Sequence, residues 1–250
     1  VLRDDWRTLW ALLRPQPALG SHAASLQHFY QAQAGDYDRF RERLLTGREE
    51  LIDALPLSPG DTWVDVGGGT ARNLHYADDR LATLSRAVVV DLTPALLAVA
   101  NARRRQERWA NVTLIHGDAT TLPMGDGTAD VVTFSYSLTM IPEWKAALAE
   151  AARVLKPGGV IGVADFYVST QQPSSLAHHG VLTRAFWPRW FGQRHVRLNP
   201  EHLPALVESF EPLRIVETRA PVPYLPIGRV PVYRFIGQKR ARTSAPPRLN

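Results

Sequence analysis

The chain contains no cysteine, which excludes disulfides, thiol nucleophiles and thiolate metal sites and leaves the cytoplasm as the expected compartment. Long apolar runs are missing as well: nothing approaches the roughly 18 residues of a membrane span, and no signal-peptide pattern opens the sequence. An integral membrane protein is therefore not expected. The eight histidines lack the paired spacing of a metal-binding helix, and His178-His179, being adjacent, point apart on a helix or a strand. No metal is expected. What is present suits one α/β domain of ordinary size: 250 residues, 45% of them hydrophobic and 21% charged. The net charge of +5 is unevenly spread. Residues 180–250 hold 12 Lys+Arg against 4 Asp+Glu, an excess of +8, while the remainder has 17 against 20. A basic C-terminal third suggests an anionic partner surface, either nucleic acid or lipid headgroups.

The chain is organised around Trp63-Val64-Asp65-Val66-Gly67-Gly68-Gly69-Thr70-Ala71-Arg72. Apolar residues lead into clustered glycines and then into a helix-compatible run, the pattern of a buried strand turning sharply into a helix. Glycines let a ligand approach the backbone closely, and free amides at a helix start favour its polar groups. Such a turn could hold NAD, FAD or S-adenosylmethionine, or no ligand at all. Context narrows this: Ala87-Val88-Val89-Val90-Asp91 is a second strand whose terminal carboxylate, with Leu92 after it, can accept both ribose hydroxyls. Val112 to Ala119 is a third strand ending in Gly117-Asp118-Ala119, Ala129 to Ser137 a fourth, and Lys156-Pro157-Gly158-Gly159 leads into a fifth. Between them a helix is expected over 73–84, and another after Thr93-Pro94, with Thr93 as N-cap and Arg103-Arg104-Arg105 complementing its C-terminal dipole.

Asp65-x-Gly67-x-Gly69, Asp91, Gly117-Asp118-Ala119 and Leu155-Lys156-Pro157-Gly158-Gly159, in this order over roughly residues 60 to 170, resemble the class I S-adenosylmethionine-dependent methyltransferases. The third glycine common in that family's first motif is Ala71 here. The resemblance implies a Rossmann-like, seven-stranded, mostly parallel sheet with helices on both faces, a helical cap over residues 1–55, a core over 56–238 with a lid at about 168–200 after the fifth strand, and a basic tail, 239–250, expected to be disordered. It further implies that Gly67, Gly68 and Gly69 face the methionine part of S-adenosylmethionine, Asp91 and Leu92 the ribose, and Asp118 with Ala119 the adenine, the product being S-adenosylhomocysteine. Asp65 either contacts the methionine amino group or caps the glycine turn. Ser135, Tyr136 and Ser137 end the strand that faces the transferring methyl in this family. An Asn/Asp-Pro-Pro-aromatic turn, typical of enzymes that methylate base amines or glutamine amides, is missing there, which argues against nucleobase methylation.

The flanks carry further patterns. Trp6, Leu9, Trp10 and Leu13 share one face of a short amphipathic helix that either docks on the domain or lies on a bilayer. Tyr37, Arg41, Leu44 and Arg48 share another helical face, on which the two arginines either grip a cofactor or substrate carboxylate or stay solvated beside Asp38 and Glu42. Residues 184–197 interleave four aromatics with four arginines, which suits an anionic membrane surface or, alternatively, a lid packed over the pocket. Phe29-Tyr30-x-x-Gln33-Ala34-x-x-Tyr37-Asp38-x-x-Arg41 with Gly47-Arg48, and Pro223-Tyr224-Leu225-Pro226 with Pro231-Val232-Tyr233-Arg234-Phe235-Ile236-Gly237, resemble the bacterial betaine-lipid N-methyltransferases. That resemblance implies three methyl transfers to the amine of diacylglyceryl-homoserine by an enzyme peripheral to the inner face of the membrane. Tyr30, Tyr37, Tyr136 and Tyr167, or a histidine, are the candidates to take up the amine proton. Two alternatives stand beside it: methylation of a soluble small molecule or quinone precursor, and a silent S-adenosylmethionine-binding scaffold with a basic nucleic-acid-binding surface.

Overall fold

In the computed structural model, residues 44–169, 179–192, 196–222 and 228–240 are described. Tyr30, Tyr37, Arg41 and the helix carrying Trp6 and Trp10 lie outside them, as does the tail beyond residue 240. Seven strands form one sheet in the order β3-β2-β1-β4-β5-β7-β6. They are β1 (Thr62–Val66), β2 (Arg86–Asp91), β3 (Val112–His116), β4 (Ala129–Ser135), β5 (Leu155–Phe166), β6 (Glu211–Pro221) and β7 (Arg229–Gln238). The first five run parallel, and β7 pairs antiparallel with both β5 and β6. This is the seven-stranded, mostly parallel arrangement expected.

Parallel strands covered on both faces read as continuous apolar runs, and β1 shows how the period of two sorts them. Trp63 joins the core cluster containing Leu51, Ile52 and Leu74. Val64 and Val66 join the opposite one with Ala147, Leu148 and Leu206. One face is thus covered by α1 (Arg48–Asp53), the 3-10 helix Arg72–Ala77, α2 (Asp79–Thr83) and α3 (Pro94–Gln106), the other by α4 (Trp144–Val154) and α6 (His202–Ser209). Full burial of each such side chain contributes about 1.5–3 kcal/mol. Helix α5 (Val181–Gly192) follows β5 and packs Trp187 and Phe191 into the first cluster.

Two local expectations need correcting. Residues 73–84 are not one helix: a 3-10 turn stops at Ala77, Asp78 breaks the chain at φ 46° and ψ −133°, and a five-residue helix follows. Thr93 does stand before Pro94, but its side chain makes no cap bond; its N–H donates to Asp91 instead. The arginine run does more than balance a dipole. Arg103 donates to the Thr70 carbonyl, and Arg104 to the Val112 carbonyl and Asn101 Oδ1, tying α3 to the glycine turn and to β3.

Candidate functional site

β1 is flanked by β2 on one side and β4 on the other, so the chain leaves the two neighbouring strand ends in opposite directions and opens a crevice there. A cavity of about 270 Å³ occupies that crevice. Its walls include Gly67, Gly68, Gly69, Asp91, Leu92, Asp118, Ala119, Ser135, Tyr136 and Arg48. Ten residues from five separate stretches of sequence, all singled out by pattern, therefore meet in one cleft.

The glycine turn is shaped by its neighbours. The Gly67 N–H donates to the Val90 carbonyl at 2.7 Å and the Gly69 N–H to Asp91 Oδ2 at 2.9 Å. Both glycines have positive φ, and a Cβ on Gly67 would lie 2.4 Å from Ser137 Cβ, so only glycine fits there. Asp91 also accepts the Thr93 N–H on Oδ1 at 2.8 Å, and burial raises its pKa above the usual carboxylate range despite these bonds. Each carboxylate oxygen has a lone pair left for a ligand hydroxyl.

Asp65 does not line the cleft. Its carboxylate lies beneath Gly68, where an added Cβ would come within 2.5 Å of Oδ2. It accepts from Asn73 Nδ2 at 3.2 and 2.9 Å and from Thr133 Oγ1 at 2.7 Å, while Trp63 Nε1 donates to Thr133 Oγ1 at 2.9 Å. Burial pushes its pKa up to about 6, opposed by these hydrogen bonds. Asn73 stands at the cleft wall in its place.

Arg48 is buried, and its Nε and Nη2 have no hydrogen-bond partner among the described residues. Its guanidinium lies 5.8 Å from the Tyr76 ring, as does that of Arg72, which lines the same cleft. A buried guanidinium with two partnerless nitrogens, with a second guanidinium at the same ring, is a place for an anion. Ser135 Oγ, also on the wall, is buried without a partner. Unsatisfied buried donors of this kind mark where a bound molecule completes the structure.

Tyr136 lines the cleft but is not placed to take a proton. Its hydroxyl donates to the Thr46 carbonyl at 2.5 Å, and burial raises its pKa far above that of a free phenol. Tyr167 lies outside the cleft altogether. Strand alternation sends Phe166 behind Tyr136, with ring centroids 4.7 Å apart, and Tyr167 to the opposite cluster, where it donates to Glu217 and meets Tyr233. Burial and the Glu217 carboxylate both raise its pKa. Naming Tyr167 a candidate proton acceptor overlooked that one-residue flip. Of segment 184–197, Trp187 and Phe191 face inward while Phe186 is exposed.

Sequence reasoning missed Asn73, Arg72 and the opposite rim, Met140, Ile141, Pro142 and Glu143. That rim follows the 3-10 turn Leu138–Met140, which buried Asp165 holds by accepting the Thr139 hydroxyl at 2.7 Å and the Thr139 N–H at 3.0 Å. Arg72 alone carried a signal, its place directly after the glycine turn. Among the described residues no cluster could hold a metal, and no helix is long and apolar enough to cross a membrane.

A doubly wound sheet with a glycine turn, an acid-tipped second strand and an unpaired guanidinium around one cleft defines a nucleoside-binding α/β protein. Comparison with known proteins narrows the class. A family model described as "Methyltransferase domain" matches residues 64–163. The demethylmenaquinone methyltransferase of Mycobacterium tuberculosis is 32% identical over 197 residues, 77% of this chain and 79% of that protein. The enzyme of that name from Renibacterium salmoninarum is 37% identical over 139 residues, and the match spans only 55% of each chain. Among solved structures, geranyl diphosphate C-methyltransferase from Streptomyces coelicolor superposes with a TM-score of 0.67 at 18% identity, over 89% of this chain and 100% of that one. The chain belongs to the class I S-adenosylmethionine-dependent methyltransferases.

Proposed function

We propose that this protein transfers a methyl group from S-adenosylmethionine to a ring carbon of a quinone precursor. The observation that carries the proposal is the likeness to demethylmenaquinone methyltransferases, which extends over 79% of the M. tuberculosis enzyme and so beyond the cofactor motifs. The cleft supports it: its lining includes the apolar side chains Leu45, Met140, Ile141 and Pro142 and the Tyr136 ring, which suit a flat, uncharged acceptor.

The residues present fit the cofactor. Asp91 would accept the ribose hydroxyls, Asp118 and Ala119 would face the adenine, and Gly67 to Gly69 would let the methionine chain lie against the backbone. Arg48, buried with Nε and Nη2 unpartnered, would take its carboxylate, with Arg72 at the same Tyr76 ring. Bound there, S-adenosylmethionine supplies an electrophilic methyl carbon on a sulfonium. The protein's part is to align the acceptor in line with that carbon and to exclude water. A ring carbon becomes nucleophilic when the neighbouring hydroxyl loses its proton. Glu143, exposed in the cleft lining, is the proposed acceptor in place of the tyrosines. An acceptor with an apolar tail would reach the site from a membrane surface.

A second reading keeps the amine of a lipid headgroup, diacylglyceryl-homoserine, as acceptor, because the Arg48 guanidinium could hold a substrate carboxylate. The two are separated by measuring S-adenosylhomocysteine release with a prenylated naphthoquinol and with vesicles carrying diacylglyceryl-homoserine. Turnover of the quinol to a C-methylated product supports the first reading. Turnover of the amine alone replaces it with the second.

A further inference from the structure

We propose that helix α5 seats this protein on an anionic phospholipid surface, with Val181, Leu182 and Phe186 entering the apolar layer and Arg189 meeting headgroup phosphates. Four large hydrophobics are exposed among the described residues, and three of them are here: Val181 at 69%, Leu182 at 85% and Phe186 at 49%. With exposed Ala185 and Arg189 they occupy positions i, i+1, i+4, i+5 and i+8, a single face of one helix. The opposite face is fully used. Trp187 and Phe191 are each 4% exposed, Phe191 stacks on Phe166 at 4.9 Å, and Phe166 packs on Tyr136 at the cleft wall. The outward residues are therefore not spare core waiting to fold inward, and the helix is coupled through three rings to the site.

Charge selects the occupant. The helix has no acidic residue, Arg197 and Arg219 are exposed nearby in sequence or space, and Glu217, near the start of α5, is engaged by the Tyr167 hydroxyl. An apolar strip that carries Arg189 on the same face, on a helix without acids, matches anionic headgroups over an acyl layer. A second copy docking by the same face would bring the Arg189 side chains of both copies into one interface with no acid on either helix to pair them. The membrane-facing set also differs from segment 184–197 as read from sequence: two of its three insertion residues precede that segment, and two of the segment's aromatics point into the core.

The inference does not depend on which acceptor is methylated. It is tested on the full chain by co-sedimentation with phosphatidylcholine vesicles with and without phosphatidylglycerol. Binding is expected only with phosphatidylglycerol, should weaken with added salt, and should fall by at least about tenfold in the Leu182→Glu, Phe186→Glu double variant. Far-UV circular dichroism and S-adenosylhomocysteine affinity, both unchanged in that variant, separate this loss from misfolding or a damaged site. Absence of vesicle binding, binding indifferent to the two substitutions, or a concentration-dependent dimer that the substitutions dissolve would overturn the proposal.

Discussion

Tyr136 turns its ring to the cleft and its hydroxyl to the carbonyl of Thr46, and these two ends separate packing from chemistry. Tyr136→Phe removes one hydrogen bond, worth about 1 kcal/mol, and leaves the ring in place. The turnover number is expected to stay within a few fold of wild type, while urea unfolding shows a loss of that size. A drop of two or more orders of magnitude in turnover would place the hydroxyl in the reaction after all. Asp91 is the opposite case, since its carboxylate already serves the Gly69 and Thr93 amides and has capacity left toward the cleft. Asp91→Ala is expected to weaken S-adenosylhomocysteine binding by at least about tenfold. Because burial raises this carboxyl's pKa and ligand hydroxyls favour its ionised form, binding should release protons and weaken as the pH falls. Calorimetry in two buffers of different ionisation enthalpy reads both effects; equal affinity in the variant would remove Asp91 from the ribose site.

The segment between β1 and β2 is where local backbone strain and burial can be told apart. Asp78 holds φ 46° and ψ −133°, a region favouring glycine, on an exposed side chain that makes no cap bond. Asp78→Gly is expected to raise the unfolding free energy by about 1 kcal/mol. Ala71 is also left-handed, at φ 59°, but its methyl is fully buried. Relief of about 1 kcal/mol there is offset by about 0.8 kcal/mol of lost burial, so Ala71→Gly is expected to be near neutral by the same denaturation assay. What the sequence reveals of this region follows from the same physics. The strand, the glycines and the acid at the end of β2 are legible because each rests on local spacing. The break at Asp78 is not, since no turn signal marks it and tertiary packing imposes it. The far rim, Met140 to Glu143, is equally silent: it becomes a wall only because Asp165, some 25 residues later, holds Thr139. Tyr167 shows the reverse error, a correct strand end read with the wrong parity.

Across the whole molecule, buried titratable groups of opposite kind set how stability follows pH. Burial pushes Asp165 up to about 7 and Asp65 up to about 6, and raises Asp91. Each therefore binds its proton more tightly in the fold than in the unfolded chain, where carboxyls titrate near 4. Their stabilising contribution is full below that value and is lost as the pH rises through the folded pKa. Buried His202, packed on Trp144 at 4.6 Å and pushed down to about 4, and His179, lowered in the same way, act in the other direction. They stay neutral in the fold while the unfolded chain takes up protons below about 6.5, so their contribution is lost on acidification. Between pH 4 and 6 the two sets oppose each other. Above pH 6 the unfolded histidines give up their remaining protons by about pH 7.5 and Asp65 completes its ionisation, while Asp165 is the carboxyl that titrates across the whole range to pH 8. The contribution of Asp165 to the unfolding free energy is then expected to fall by about 1.4 kcal/mol between pH 6 and pH 8, opposed in part by the histidines. Asp165→Asn should flatten that decline whatever it does to absolute stability, because only the ionisable group is needed for the slope. Urea unfolding of both proteins at pH 6 and pH 8 decides it. An unchanged stability difference between the two proteins at the two values would mean that Asp165 is already ionised at pH 6 and that the turn it holds at the rim carries a permanent buried charge.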